Sequence, residues 1–167
     1  VSVFAIAGLL FMPRFAFQNS ARAEGPKRVL PIFQVDPNFP TMPDHMILGG
    51  VGGVNADSHG NVWVFQRPHT IEDGNSMDNG YKVAPPVLEF DPQGNLLRHW
   101  GGPGQGYEWP ESNHGITPDT KGNVYIGGNG GNDGHILKFT QDGKFIKQFG
   151  FAYASAGSND MWAFNKV

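Results

Sequence analysis

Two phrases of this chain are each written twice, in the same order. Val54-Asn55-Ala56-Asp57-Ser58-His59-Gly60-Asn61-Val62-Trp63-Val64 returns 62 positions later as Ile116-Thr117-Pro118-Asp119-Thr120-Lys121-Gly122-Asn123-Val124-Tyr125-Ile126. Val87-Leu88-Glu89-Phe90, running through Gly94 to Trp100-Gly101, returns 49 positions later as Ile136-Leu137-Lys138-Phe139, through Gly143 to Phe149-Gly150. Each unit reads strand, Asp-x-x-Gly-Asn turn, strand, spacer, strand, x-Gly turn, strand. Fixed-order repeats of four-stranded units predict an all-β fold, a β-propeller, with about two four-stranded blades present.

The period-2 patterns place blade one within 48–101, with strands near 53–57, 61–66, 86–91 and 95–100. Blade two spans 110–150, with strands near 114–118, 122–127, 135–140 and 144–149, and 151–167 begins the next blade. A blade takes roughly 40–50 residues. A chain of 167 residues therefore reads as a fragment open at both ends. Its 24 Gly and 13 Pro suit short strands joined by turns, and no segment keeps a helical apolar period beyond a turn or two. Between Arg67 and Ala84 lie 13 residues with no counterpart in the second unit. They predict a loop on one face of the blade, either a functional loop or a tolerated solvent-exposed one.

The first 23 residues read as an export segment. Val1 to Met12 is uncharged and apolar, and Ala21-Arg22-Ala23 offers small residues at the two positions a signal peptidase reads. Twelve apolar residues are short of the ~20 that span a bilayer. The segment is a cleaved signal peptide or a retained N-terminal anchor; in both cases the domain is exported, periplasmic or extracellular. Residues 24–47 are a Pro-rich lead-in expected to wrap onto the first blade. A net charge of −3 without a basic run gives no case for nucleic acid, or for a membrane beyond the possible anchor. The absence of Cys excludes a disulfide scaffold and a thiolate metal site.

Several motifs fall short of chemistry. Gly127-Gly128-Asn129-Gly130-Gly131-Asn132-Asp133 is similar to a calcium-binding Gly-rich nonapeptide, but its Asp is displaced and no tandem copy follows, so it reads as a turn. Gly101 to Gly106 precedes no helix and is no phosphate loop. No Ser sits in a nucleophile elbow. Among six histidines, His59 (in a turn) and His99 (on an outer strand) should face solvent, and His135 begins a third strand. His114 differs, because it stands at the mouth of the innermost strand of blade two. A histidine from each of several blades meeting there would form a His-only zinc site; the other reading is a core histidine.

These stretches carry a resemblance. Trp109-Pro110, then Asn113-His114-Gly115-Ile116, then Asp119-Thr120-Lys121-Gly122-Asn123 resembles the lyase domain of peptidylglycine α-amidating enzymes, the peptidyl-α-hydroxyglycine α-amidating lyase family. Phe65-Gln66-Arg67 followed by Glu72-Asp73-Gly74-Asn75-Ser76-Met77-Asp78 is similar to that family too, inside the insertion. The resemblance covers about residues 50–165 and implies a six-bladed propeller of the NHL-repeat type for the full-length protein. It implies that His114 is one of three zinc histidines, that Arg67 engages substrate, and that the backbone carbonyls of Val54 and Ile116 bind a structural calcium. Oxygen ligands suit calcium and imidazoles suit zinc, so one channel can hold both. The remaining zinc histidines, a calcium Asp and an active-site Tyr would lie beyond Val167. This chain departs from the family pattern at Asn113, where Pro is usual, at Gly127-Gly128, where an Asp is usual, and at Pro118 within a strand.

Two functions follow. One is a zinc-dependent lyase cleaving a peptidyl-α-hydroxyglycine-like carbinolamide to amide and glyoxylate, acting on a small molecule or peptide. The alternative is a non-catalytic propeller module binding a peptide, glycan or protein; a different propeller enzyme, such as a lactonase, is the third reading. Arg67 meets either an anionic substrate or an acidic loop residue such as Glu72 or Asp73.

Overall fold

A computed structural model describes residues 30–43, 45–72, 80–157 and 159–164; the export segment lies outside them. In chain order the elements are β1 (Met46–Ile47), β2 (Gly50–Ala56), β3 (Val62–Arg67), α1 (His69–Glu72), β4 (Lys82–Val83), β5 (Val87–Phe90) and β6 (Leu96–Trp100). They continue with β7 (Asn113–Pro118), β8 (Asn123–Gly128), β9 (His135–Thr140) and β10 (Phe145–Gly150). Strands β2-β3-β5-β6 form one antiparallel sheet and β7-β8-β9-β10 another, each in chain order, with α1 and β4 intervening between β3 and β5. The chain is all-β, and its one described helix is the four-residue turn α1. A two-stranded parallel pair, β1 with β4, ties the lead-in to the insertion and has no signature in the sequence.

Four turns set the register of both sheets by one device. Asp57 Oδ1 accepts the backbone N–H of His59 (2.8 Å) and Asn61 (3.0 Å), while Oδ2 accepts Asn61 Nδ2 (3.1 Å). Asp91 holds Gln93 and Asn95 the same way, and Asp119 holds Lys121 and Asn123. In the fourth turn Thr140 Oγ1 stands in, accepting from the Lys144 N–H at 3.1 Å. The glycine in each, Gly60, Gly94, Gly122 and Gly143, has φ between 78 and 87°, where a side chain is strained.

These bonds tie stability to pH. Burial pushes the Asp57 carboxyl up, but the His59 and Asn61 amides and the Trp63 indole more than offset it, so it titrates below the ordinary value of 3.8. Hydrogen bonds from Asn95 and Asn123 likewise hold Asp91 and Asp119 low. Groups depressed in the folded state stabilise above the unfolded value and lose that contribution as pH falls through the folded one. Glu89 acts in the opposite sense. It is buried at 1% exposure, and burial raises it above 4.5 despite Arg98 Nη1 lying 2.7 Å from Oε2. Its contribution therefore grows as pH falls toward 4.5. Asp57→Ala is expected to lose about 2 kcal/mol at neutral pH. Chemical unfolding repeated across pH should also show it declining less steeply than the parent below about pH 4.

Strand alternation gives each sheet two apolar faces. Ile116, Val124, Ile126, Leu137 and Phe139 of the second sheet pack on Trp63, Phe65 and Val87 of the first. Trp100, Tyr107, Trp109 and Phe145 close the margin. The repeat equivalents of the second sheet's packed face are Val54, Val62, Val64, Leu88 and Phe90. There Phe39, Met42 and Met46 of the Pro-rich stretch, with Leu48, supply the cover, packing on Val64, Ala84, Leu88 and Phe90.

Candidate functional site at the inner-strand edge

The site begins with two β-bulges at equivalent repeat positions. The register of β2 on β3 shifts between Val51 and Gly53, and that of β7 on β8 shifts between Asn113 and Gly115. The residues left unpaired are Gly52 and His114, which are 62 positions apart. A bulge re-aims its extra residue. His114 is exposed accordingly, between buried Asn113 and buried Ile116. Strands β2 and β7 pass so closely that a β-carbon on Gly52 would strike the Asn113 carbonyl, and one on Gly53 the His114 carbonyl.

Arg67 ends β3 opposite Gly50. Its Nε donates to the Asn113 carbonyl oxygen at 2.9 Å, so the arginine of one sheet is anchored to the residue preceding His114 on the other. Asn113, 5% exposed, is held in turn: Nδ2 donates to the Gln66 carbonyl at 2.7 Å, and Oδ1 accepts Trp109 Nε1 at 3.0 Å. Gln66 is fully buried; Oε1 accepts the Gly49 N–H at 2.8 Å and Nε2 donates to the Ala84 and Pro85 carbonyls. Among the described residues no carboxylate lies within ion-pair distance of Arg67. The Glu72 side chain and Asp73, the acidic partners considered for it, lie outside them.

The carbonyls of Val54 and Ile116 occupy matched positions. Asp57 N–H bonds the Asn61 carbonyl at 3.0 Å and Asp119 N–H bonds that of Asn123 at 2.8 Å. Antiparallel alternation then puts Val54↔Val64 and Ile116↔Ile126 in non-hydrogen-bonded pairs, with the Val54 and Ile116 carbonyls on the strands' outer edges. One lone pair of the Ile116 oxygen takes Asn55 Nδ2 at 3.1 Å, leaving the other. Edge carbonyls of this kind fit an oxygen-seeking cation, and the exposed His114 imidazole fits a single zinc ligand. Among the described residues no group of three or more His, Asp or Glu gathers in one place.

The Gly-rich stretch is a turn, as its sequence suggested. Buried Asp133 accepts the backbone N–H of Glu111 (2.7 Å), Ser112 (3.0 Å) and Gly130 (2.7 Å). It thereby fixes the segment just before Asn113-His114, a role the sequence concealed. His59 and His99 are exposed as expected, whereas His135 is buried with Nε2 2.6 Å from the Glu108 carbonyl oxygen. A groove of about 710 Å³ lies elsewhere, lined by Tyr107, Phe149, Phe151, Met161, Trp162 and Phe164 among others. It carries Glu108 and Lys147. No family model matches the chain, and no curated protein does.

Proposed function

We propose that the two sheets are neighbouring blades of an NHL-type β-propeller, and that the edge bearing Arg67 and His114 is part of a zinc-dependent α-amidating lyase site. The observation that carries this reading is the Arg67 Nε to Asn113 carbonyl bond. It ties Arg67 of one sheet to the residue preceding His114 on the other, and Arg67 and His114 are the two side chains that the resemblance assigns to the site. The propeller reading is supported by what each sheet leaves open. Val54 is 61% exposed where its equivalent Ile116 is 5% exposed, and Tyr125 and Ile136 are half-buried where Trp63 and Val87 are fully buried. Gly115 has nothing near its missing β-carbon, whereas its equivalent Gly53 is pressed against β7. The second sheet's open face is equivalent to the face the first sheet already buries, while on the first sheet's outer face, covered by residues 39–48, Val54 stays exposed; a head-to-tail interface repeated with rotation closes a ring.

Zinc, when bound, supplies Lewis acidity toward the carbinol oxygen. Arg67 has Nε committed to Asn113, leaving its two Nη nitrogens to hold the substrate carboxylate in a two-pronged contact. The carbinol O–H gives up its proton, its oxygen becomes the aldehyde carbonyl of glyoxylate, and the C–N electrons leave with the amide nitrogen, which takes a proton. His114→Ala in the protein expressed from its complete gene should lose bound zinc and slow glyoxylate release by about 100-fold. Zinc content measured by mass spectrometry and unchanged by this substitution would reduce His114 to a surface histidine. Zinc retained with no turnover in the parent would favour the binding module.

A further inference from the structure

We infer that Asn113 is a positioning residue, the latch that sets Arg67 against the strand carrying His114. Asn113 stands one residue before the bulge, and two of its three side-chain and carbonyl hydrogen bonds cross between the sheets while the third is local. Its carbonyl accepts Arg67 Nε, its Nδ2 donates to the Gln66 carbonyl beside Arg67, and its Oδ1 is pinned by the Trp109 indole. The Gln66–Arg67 and Asn113–His114 dipeptides are thus joined by two hydrogen bonds of opposite direction, a reciprocal clasp between sheets. Gly52 makes room for it, since any β-carbon there would push the Asn113 carbonyl away. A proline at position 113 offers no side-chain amide, so the clasp belongs to this chain's own residue choice. Asn113 is buried, its side-chain amide is engaged at both Oδ1 and Nδ2 and its backbone carbonyl oxygen is bonded as well, which makes the geometry stiff.

The consequence for the site rests on the reading of Arg67 as the residue holding the substrate carboxylate. An arginine whose Nε is fixed presents its remaining edge in one orientation, and loosening it weakens ground-state and transition-state binding alike. Such a loss appears in KM rather than kcat.

The test compares Asn113→Ala and Asn113→Thr with the parent, each expressed from the complete gene; threonine keeps the strand should alanine fail to fold. In both, exchange of the Arg67 Nε–H with solvent, followed by NMR, is expected to quicken by about tenfold. KM for an α-hydroxyglycine peptide should rise by about tenfold with kcat and zinc content unchanged. Unchanged Arg67 exchange in the folded variants would overturn the latch, as would a loss of activity that only tracks the unfolded fraction. Should the lyase reading itself fail, with no turnover in the parent, the Arg67 exchange rate still decides whether Asn113 positions it.

Discussion

Trp63→Ala is expected to remove about 3–5 kcal/mol, a large share of a typical domain's stability. Trp63 is fully buried at the centre of the cluster shared by both sheets. Its indole N–H also reaches Asp57 Oδ2 at 3.3 Å, so truncation empties the interface and loosens the turn that fixes the β2–β3 register. Urea unfolding should show a lowered midpoint with little change in slope. Its equivalent Tyr125 gives a control. On the sheets described here Tyr125 is half-buried and its alanine variant would cost well under half as much. Under the propeller reading, a further blade over Tyr125 and Ile136 would make the two substitutions nearly equal. Two unequal losses in the protein expressed from its complete gene would count against the propeller reading.

Arg67→Lys separates charge from shape. Lysine keeps the positive charge and loses the planar fork, including the Nε–H that meets the Asn113 carbonyl at 2.9 Å. If Arg67 holds the substrate carboxylate, kcat/KM for an α-hydroxyglycine peptide should fall by about tenfold or more, chiefly through KM, while the melting temperature barely moves. Arg67 is half-buried, so a lysine ammonium or water can reach the place of the lost donor, which is why stability is expected to survive. A fall in melting temperature with unchanged kcat/KM would assign Arg67 to the scaffold and remove the strongest support for the lyase reading.

The strand plan was legible because its signals are local. Val62-Trp63-Val64 and Val124-Tyr125-Ile126 alternate with period 2, and each Asp-x-x-Gly-Asn turn is closed by its own five residues. Eight of the strands accordingly fall within a few residues of where the pattern puts them. The β1–β4 pair was not legible, because Met46-Ile47 and Lys82-Val83 are dipeptides joined across a long stretch of chain.

The site divides the same way. His114 and Arg67 stood out through motifs, which are strings of neighbours, and Val54 with Ile116 through the repeat. Asn113 stood out only as a departure from a pattern, with no hint of what it replaced. Gln66 and Asp133 carried no signal, since a buried glutamine in a strand and an aspartate in a Gly-rich loop look ordinary in one dimension. By itself the sequence determined the repeat, the turns, the eight strands of the two sheets, and the residues worth suspecting. Only the tertiary structure decided that Gly52 and His114 are both bulges. It alone decided that β2 and β7 touch at their carbonyls, and that Asn113 clasps Gln66 and Arg67 across the gap. The physical reason is range: periodicity and turn chemistry act over a handful of residues, while those hydrogen bonds join groups 46 and 47 positions apart, which meet only once both sheets have packed.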